Sequence, residues 1–92
     1  MIDEGKVTIV RQYLVGEFPS SEIREWYDSG REAQCFKIGS GGTCREVIFA
    51  GEFLRHYGEN EIPKLLKIFL LVEHLRECDL PIIVTSEGLS TE

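Results

Sequence analysis

The sequence predicts an α+β fold, a sheet with helices packed over one of its faces. Three observations lead there. Segments of strand-forming residues flank the cluster Gly39-Ser40-Gly41-Gly42, which punctuates like a hairpin turn. A long apolar segment, Ile62 to Cys78, carries Pro63 in its first turn, where a helix tolerates proline. A short apolar run, Leu80 to Thr85, has Pro81 at its start, as a buried strand can.

Taken in order, Lys6 to Val15 alternates Val7, Ile9, Arg11, Tyr13 and Val15 against Thr8, Val10, Gln12 and Leu14. This β-branched and aromatic material predicts a strand over 6–15, ended by Gly16. Phe18-Pro19-Ser20-Ser21-Glu22 then reads as a helix start. A serine caps it, Glu22 sits near the positive end of the dipole, and Ile23, Trp26 and Tyr27 share a face at i, i+3, i+4. The expected helix covers 20–28, with Gly30 as its stop.

Strands over 32–38 and 43–49 follow as a hairpin. A Gly39-Ser40 turn sets Cys35 opposite Cys44, whereas a turn of Ser40 to Gly42 sets Cys35 opposite Val47. Thr43-Cys44-Arg45-Glu46 also matches a capping box, which would start a helix at Cys44. The strand is favoured because Val47, Ile48 and Phe49 suit it and Gly51 weakens a helix interior. A short helix at 52–57 stopped by Gly58, a long helix at 61–78, a strand at 81–85 and a tail at 86–92 complete the chain. The expected order is β-α-β-β-α-α-β, two layers in a single domain spanning 1–92.

Composition restricts the function classes. The 92 residues carry a net charge of −6, and the ten basic residues never form a run. Duplex nucleic-acid binding draws its affinity from clustered cations, so it is disfavoured. The longest apolar run, Ile68 to Val72, falls far short of the roughly 20 residues that span a bilayer. The N-terminal residues lack the cationic start and apolar core of a secretory signal, and Cys35, Cys44 and Cys78 are an odd count without a Cys-x-x-Cys pair. A cytoplasmic protein with free thiols is the expectation.

No motif marks a catalytic centre. Cys35, Cys44, Cys78, His56 and His74 lack metal-ligand spacing, although Cys78 lies one helical turn beyond His74. Structural thiols, and no cofactor, are expected. The loop Ser40, Gly41, Gly42, Thr43 could cradle an anion only if a helix began just after it; a continuous strand at 44–49 would exclude that. The apolar residues of the 61–78 helix cover most of its circumference, and a domain this small has little material to enclose it. The expectation is a non-catalytic interaction or regulatory module. Its surplus face, Leu66, Phe69, Leu70 and Val72, would pair with a second copy or another protein. The alternative is a small-molecule or anion-binding protein, or a small enzyme, built on the Gly39–Thr43 loop or a Cys/His cluster.

Overall fold

The computed structural model describes residues 4–91. It is α+β, with a five-stranded mixed sheet and four helices. Helix α1 (Glu4–Glu17) is followed by strands β1 (Glu22–Asp28), β2 (Ala33–Ser40) and β3 (Thr43–Ala50). Three short helices come next, α2 (Gly51–His56), α3 (Ile62–Ile68) and α4 (Leu71–Glu77), and strands β4 (Ile82–Thr85) and β5 (Gly88–Thr91) close the chain. The sheet is open, in the order β1-β2-β3-β4-β5. Only β3 and β4 run parallel, because the three helices carry the chain back to the starting end of β3.

Two expected elements exchange type. The 6–15 segment is a helix, because Val7, Val10 and Leu14 form the buried line and are spaced at a helical i, i+3, i+7. Its β-branched composition yields to packing against the sheet. The 20–28 segment is a strand, whose burial alternates from Glu22 to Trp26. Phe18-Pro19-Ser20-Ser21 makes a turn instead of a helix start, with the Ser21 amide donating to the Phe18 carbonyl at 3.1 Å. The expected order β-α-β-β-α-α-β is therefore corrected to α-β-β-β-α-α-α-β-β.

The hairpin stands where it was expected, and its register differs from both readings. Gly41 and Gly42, at φ 55° and 89°, fill a two-residue turn closed by Ser40 and Thr43. Cys35 lies opposite Ile48. Residues 43–50 are one continuous strand, so the capping-box helix does not form.

The long helix expected at 61–78 is broken. Leu70 adopts a left-handed conformation at φ 57° and serves as the N-cap of α4. The reason lies in the phase of the apolar positions. At about 100° per residue, a helix that buries Ile62 and Leu66 would carry Glu73 and Glu77 on the same side if it continued unbroken. The break rotates the second segment, so that Leu71, Val72 and Leu75 are buried and both glutamates are exposed. Apolar residues encircle the segment because two short helices each bury a different side.

Residues 86–91, expected as a tail, form a second hairpin with β4, in which Thr85 pairs with Gly88. The Tyr57 hydroxyl donates to the Ser86 carbonyl at 3.1 Å, and the Ser86 amide donates to the Glu52 carboxylate at 3.0 Å. These contacts hold the turn against α2. Glu92, which ended the expected tail, lies outside the described residues.

All four helices pack on one sheet face, around Phe36, Ile38, Val47, Phe49, Ile82 and Val84. Phe36 meets Phe49 edge to face at 5.7 Å, and Phe53 of α2 stacks obliquely on Phe49 at 6.1 Å. The opposite face carries a smaller cluster of Ala33, Cys35 and Ile48 with Ile83 against it.

Candidate functional site

Strand β1 is an edge. It pairs with β2 from Glu22↔Gly39 to Asp28↔Ala33, and among the described residues no strand lies on its other side. Strand alternation sends Ile23, Glu25 and Tyr27 toward the helices and Glu22, Arg24, Trp26 and Asp28 to the face without helices. Trp26 is 40% exposed and Tyr27 44% exposed, so adjacent aromatic side chains flank the edge on its two faces.

The hairpin turn determines which main-chain groups of β1 are available. Ser40 and Thr43 close a two-residue turn and therefore form a hydrogen-bonded pair, and antiparallel pairs alternate from there. Ser40, Ile38, Phe36 and Gln34 accordingly direct their main-chain groups to β3. Gly39, Lys37, Cys35 and Ala33 direct theirs to β1, onto Glu22, Arg24, Trp26 and Asp28. The N–H and C=O groups of Ile23, Glu25 and Tyr27 point outward, away from the sheet.

Charge on this edge is ordered. Arg24 donates to Glu22 at 3.0 Å, an exposed pair of little energetic weight. Asp28 accepts from the amides of Gly30 and Arg31 at 3.0 and 3.2 Å, which fixes the turn into β2. On the helical side, Arg11 of α1 grips Glu25 through two nitrogens, Nη2 to Oε2 at 3.0 Å, and Gln34 donates to the same carboxylate at 3.2 Å. The hydrogen bond and charge of Glu25 hold the Arg11 guanidinium more firmly in its charged form.

That network floors a cleft of about 520 Å³ between α1 and β1, walled by Val7 and Tyr27 and bordered by Glu4. Because Glu25 neutralises Arg11, Glu4 leaves the lining with net negative charge.

The expected surface on residues 66–72 is dispersed. Leu66 is fully buried and Val72 nearly so, which takes both out of any docking face. Phe69 is half-buried, packed against the core beside Phe53, and Leu70 is 52% exposed next to Ile68 at the α3–α4 bend. The Gly41-Gly42 turn leads into a strand, so Thr43 begins β3 and opens no helix. The side chain of Ser40 lies outside the described atoms. The anion-cradle reading of this loop therefore fails on the condition set for it.

The cysteines and histidines do not gather into one cluster. Cys35 is buried on the helix-free face, and burial, reinforced by the carboxylates of Asp28 and Glu46, pushes its thiol up. Such a thiol is a poor nucleophile at neutral pH. Cys44 is exposed near the hairpin turn, and His56 packs edge-on against Tyr57 at 4.6 Å. His74 and Cys78 do share the lining of a small pocket of about 90 Å³ beside Leu89. Among the described residues, no group of three or more His, Cys, Asp or Glu side chains could hold a metal ion. Likewise, no described helix is long and apolar enough to cross a membrane.

Composition and helical periodicity conceal β1, because Ile23, Trp26 and Tyr27 match a helical face. The available signal was the turn that follows. Asp28-Ser29-Gly30 ends a strand as readily as Gly30 stops a helix, and the β-rich segment 33–39 supplies an antiparallel mate. No family model, curated protein or solved structure matches the chain.

Proposed function

We propose that this protein is a non-catalytic interaction module that self-associates through the edge of its sheet. The observation that carries the reading is β1 itself, seven residues long, with outward main-chain donors and acceptors and exposed Trp26 and Tyr27. Edge strands of this length are pairing templates unless they are covered, bulged, proline-blocked or guarded by charge. Among the described residues β1 is neither bulged nor proline-blocked and has no strand beside its edge, while Glu22, Arg24, Glu25 and Asp28 restrict it to a mate that sets opposite charges against them. The surface first expected on residues 61–78 is reduced to Ile68 and Leu70 at the α3–α4 bend, because Leu66 and Val72 are buried.

Sedimentation velocity from micromolar to millimolar concentration, joined to amide hydrogen exchange, tests the reading. The outward amides of Ile23, Glu25 and Tyr27 are expected to exchange quickly in dilute solution and to gain protection as a dimer accumulates. A chain that stays monomeric throughout that range, with unchanged exchange in β1, refutes it.

A second reading, small-molecule binding, draws on the cleft between α1 and β1. Its net negative lining beside an aromatic wall suits a compact organic cation, since amines pair with carboxylates and lie over tyrosine faces. A thermal-shift screen of primary and quaternary amines checks it. Stabilisation lost on Glu4→Gln supports this reading, and a flat screen removes it.

A further inference from the structure

We infer that the partner of β1 is β1 of a second copy, paired antiparallel about a two-fold axis at Trp26, so that two sheets join into one. This rests on the edge-pairing reading above and adds the register, which the charge order of the strand selects.

Residues facing one another across an antiparallel pair lie on the same sheet face, so a symmetric pairing can centre only on a residue of the strand or move by whole residues along it. Centring on Trp26 places Arg24 of each copy opposite Asp28 of the other, on both sides of a Trp26–Trp26 contact. On the helical face it places Glu25 opposite Tyr27. The outward main-chain groups of Glu25 and Tyr27 then meet as hydrogen-bonded pairs, each exchanging two N–H···O bonds. Trp26 becomes a non-hydrogen-bonded pair, in which side chains approach most closely.

Neighbouring registers are poorer. Centring on Glu25 sets Glu22 against Asp28 and moves Arg24 opposite Trp26, without a carboxylate across the junction. Centring on Arg24 opposes two guanidiniums. Centring on Tyr27 moves Arg24 opposite Gly30 and leaves it without a carboxylate across the junction. Like charges directly opposite one another destabilise a strand pair, and opposite charges support it. The sequence Glu22-Ile23-Arg24-Glu25-Trp26-Tyr27-Asp28 is therefore self-complementary in one register and self-repelling or incomplete in the adjacent ones.

The arrangement also affects the cleft. A two-fold axis normal to the sheet keeps both helical layers on one side. The cleft between α1 and β1 of one copy then opens toward its counterpart, with the mate's Tyr27 at its Glu25 wall. The exchange draws Arg24 from its exposed pair with Glu22 and adds it to an Asp28 carboxylate that Arg31 of its own chain approaches at 3.7 Å.

The test is a charge exchange. Arg24→Glu alone faces Asp28 with a glutamate, and Asp28→Lys alone faces Arg24 with a lysine, so each variant is expected to dimerise at least tenfold more weakly than the wild type. Mixed together, the two variants place opposite charges at both junctions and are expected to form a heterodimer within about threefold of wild-type affinity, read by native mass spectrometry. Asp28 also holds the turn amides, so the Asp28→Lys chain could misfold. A second readout needs only the wild type and Arg24→Glu. Trp26 is the sole tryptophan, and its emission is expected to shift to the blue and resist acrylamide quenching as dimer forms, at tenfold higher concentration in the variant. A wild-type dimer indifferent to Arg24→Glu, with Trp26 emission unmoved, overturns this register while leaving self-association intact. A wild type that remains monomeric overturns both.

Discussion

Gly51→Ala should destabilise the fold although it places a better helix former at the first residue of α2. A Cβ on Gly51 would lie 2.6 Å from the Glu32 carbonyl oxygen and 3.0 Å from the Arg55 guanidinium. The arginine can move aside. The carbonyl cannot, because it accepts the Gly51 amide at 2.9 Å and belongs to a residue held at φ 51° between β1 and β2. Relieving the overlap means opening that hydrogen bond at a buried position, at about 1–3 kcal/mol. The helix preference of alanine over glycine returns at most about 1 kcal/mol. The net expectation is a loss centred on about 1 kcal/mol, which for a chain of this size lowers the midpoint by roughly 4–8 °C. Urea denaturation followed by circular dichroism measures it. Gly16→Ala provides the contrast, since nothing lies within 4 Å of a Cβ there and the residue is in α1. It should gain about 0.5–1 kcal/mol. Gly51→Ala as stable as the wild type, or Gly16→Ala less stable, would refute the reasoning.

Leu66→Ala should cost about 2–5 kcal/mol, whereas Ile68→Ser should cost under about 1 kcal/mol, because the first is enclosed and the second is 72% exposed; equal losses in chemical denaturation would contradict the orientation of α3. Thiol labelling at mild alkaline pH, followed by peptide mass mapping, should modify Cys44 first and Cys35 last, since burial raises the Cys35 thiol. The hydrogen bond from the Ser86 amide depresses the Glu52 pKa in the fold, so the support it provides is present above the unfolded value of about 4.3 and is lost as pH falls through the folded one. Glu52→Gln should therefore lose less stability than the wild type on acidification below about pH 4.3; identical acid limbs in pH-dependent melts would count against that contact.

Legibility in the sequence followed the reach of the signals. The Gly41-Gly42 hairpin, the Pro63 helix start and the 82–85 strand depend on local backbone chemistry, and they stand within a residue or two of where local chemistry puts them. Helix α1 and strand β1 depend on what they pack against. Val7, Thr8, Ile9 and Val10 favour a strand in isolation, and only the sheet's need for cover on one face selects the helical line Val7, Val10, Leu14. Strand β5 was half hidden: Gly88 and the Thr85 hydroxyl shape its turn locally, but the contacts that hold the turn against α2 come from Tyr57 and Glu52, some thirty residues away in sequence.

The break at Leu70 has the widest consequence for function. A segment apolar on every side looks like a helix with surface to spare, and surface to spare suggests a partner. Two short helices out of phase bury most of the same residues and leave only Ile68 and Leu70 exposed at their bend, at the cost of one non-glycine residue in the left-handed region. The evidence for association thereby moves from the helices to β1, where exposure is matched by unpaired main-chain groups and an ordered run of charges. Apolar exposure alone does not choose among partners. A strand edge with Arg24 and Asp28 equidistant from Trp26 does choose, because its own sequence, turned about a two-fold axis, sets each of those charges opposite the other in addition to their contacts with Glu22 and Arg31 within the chain.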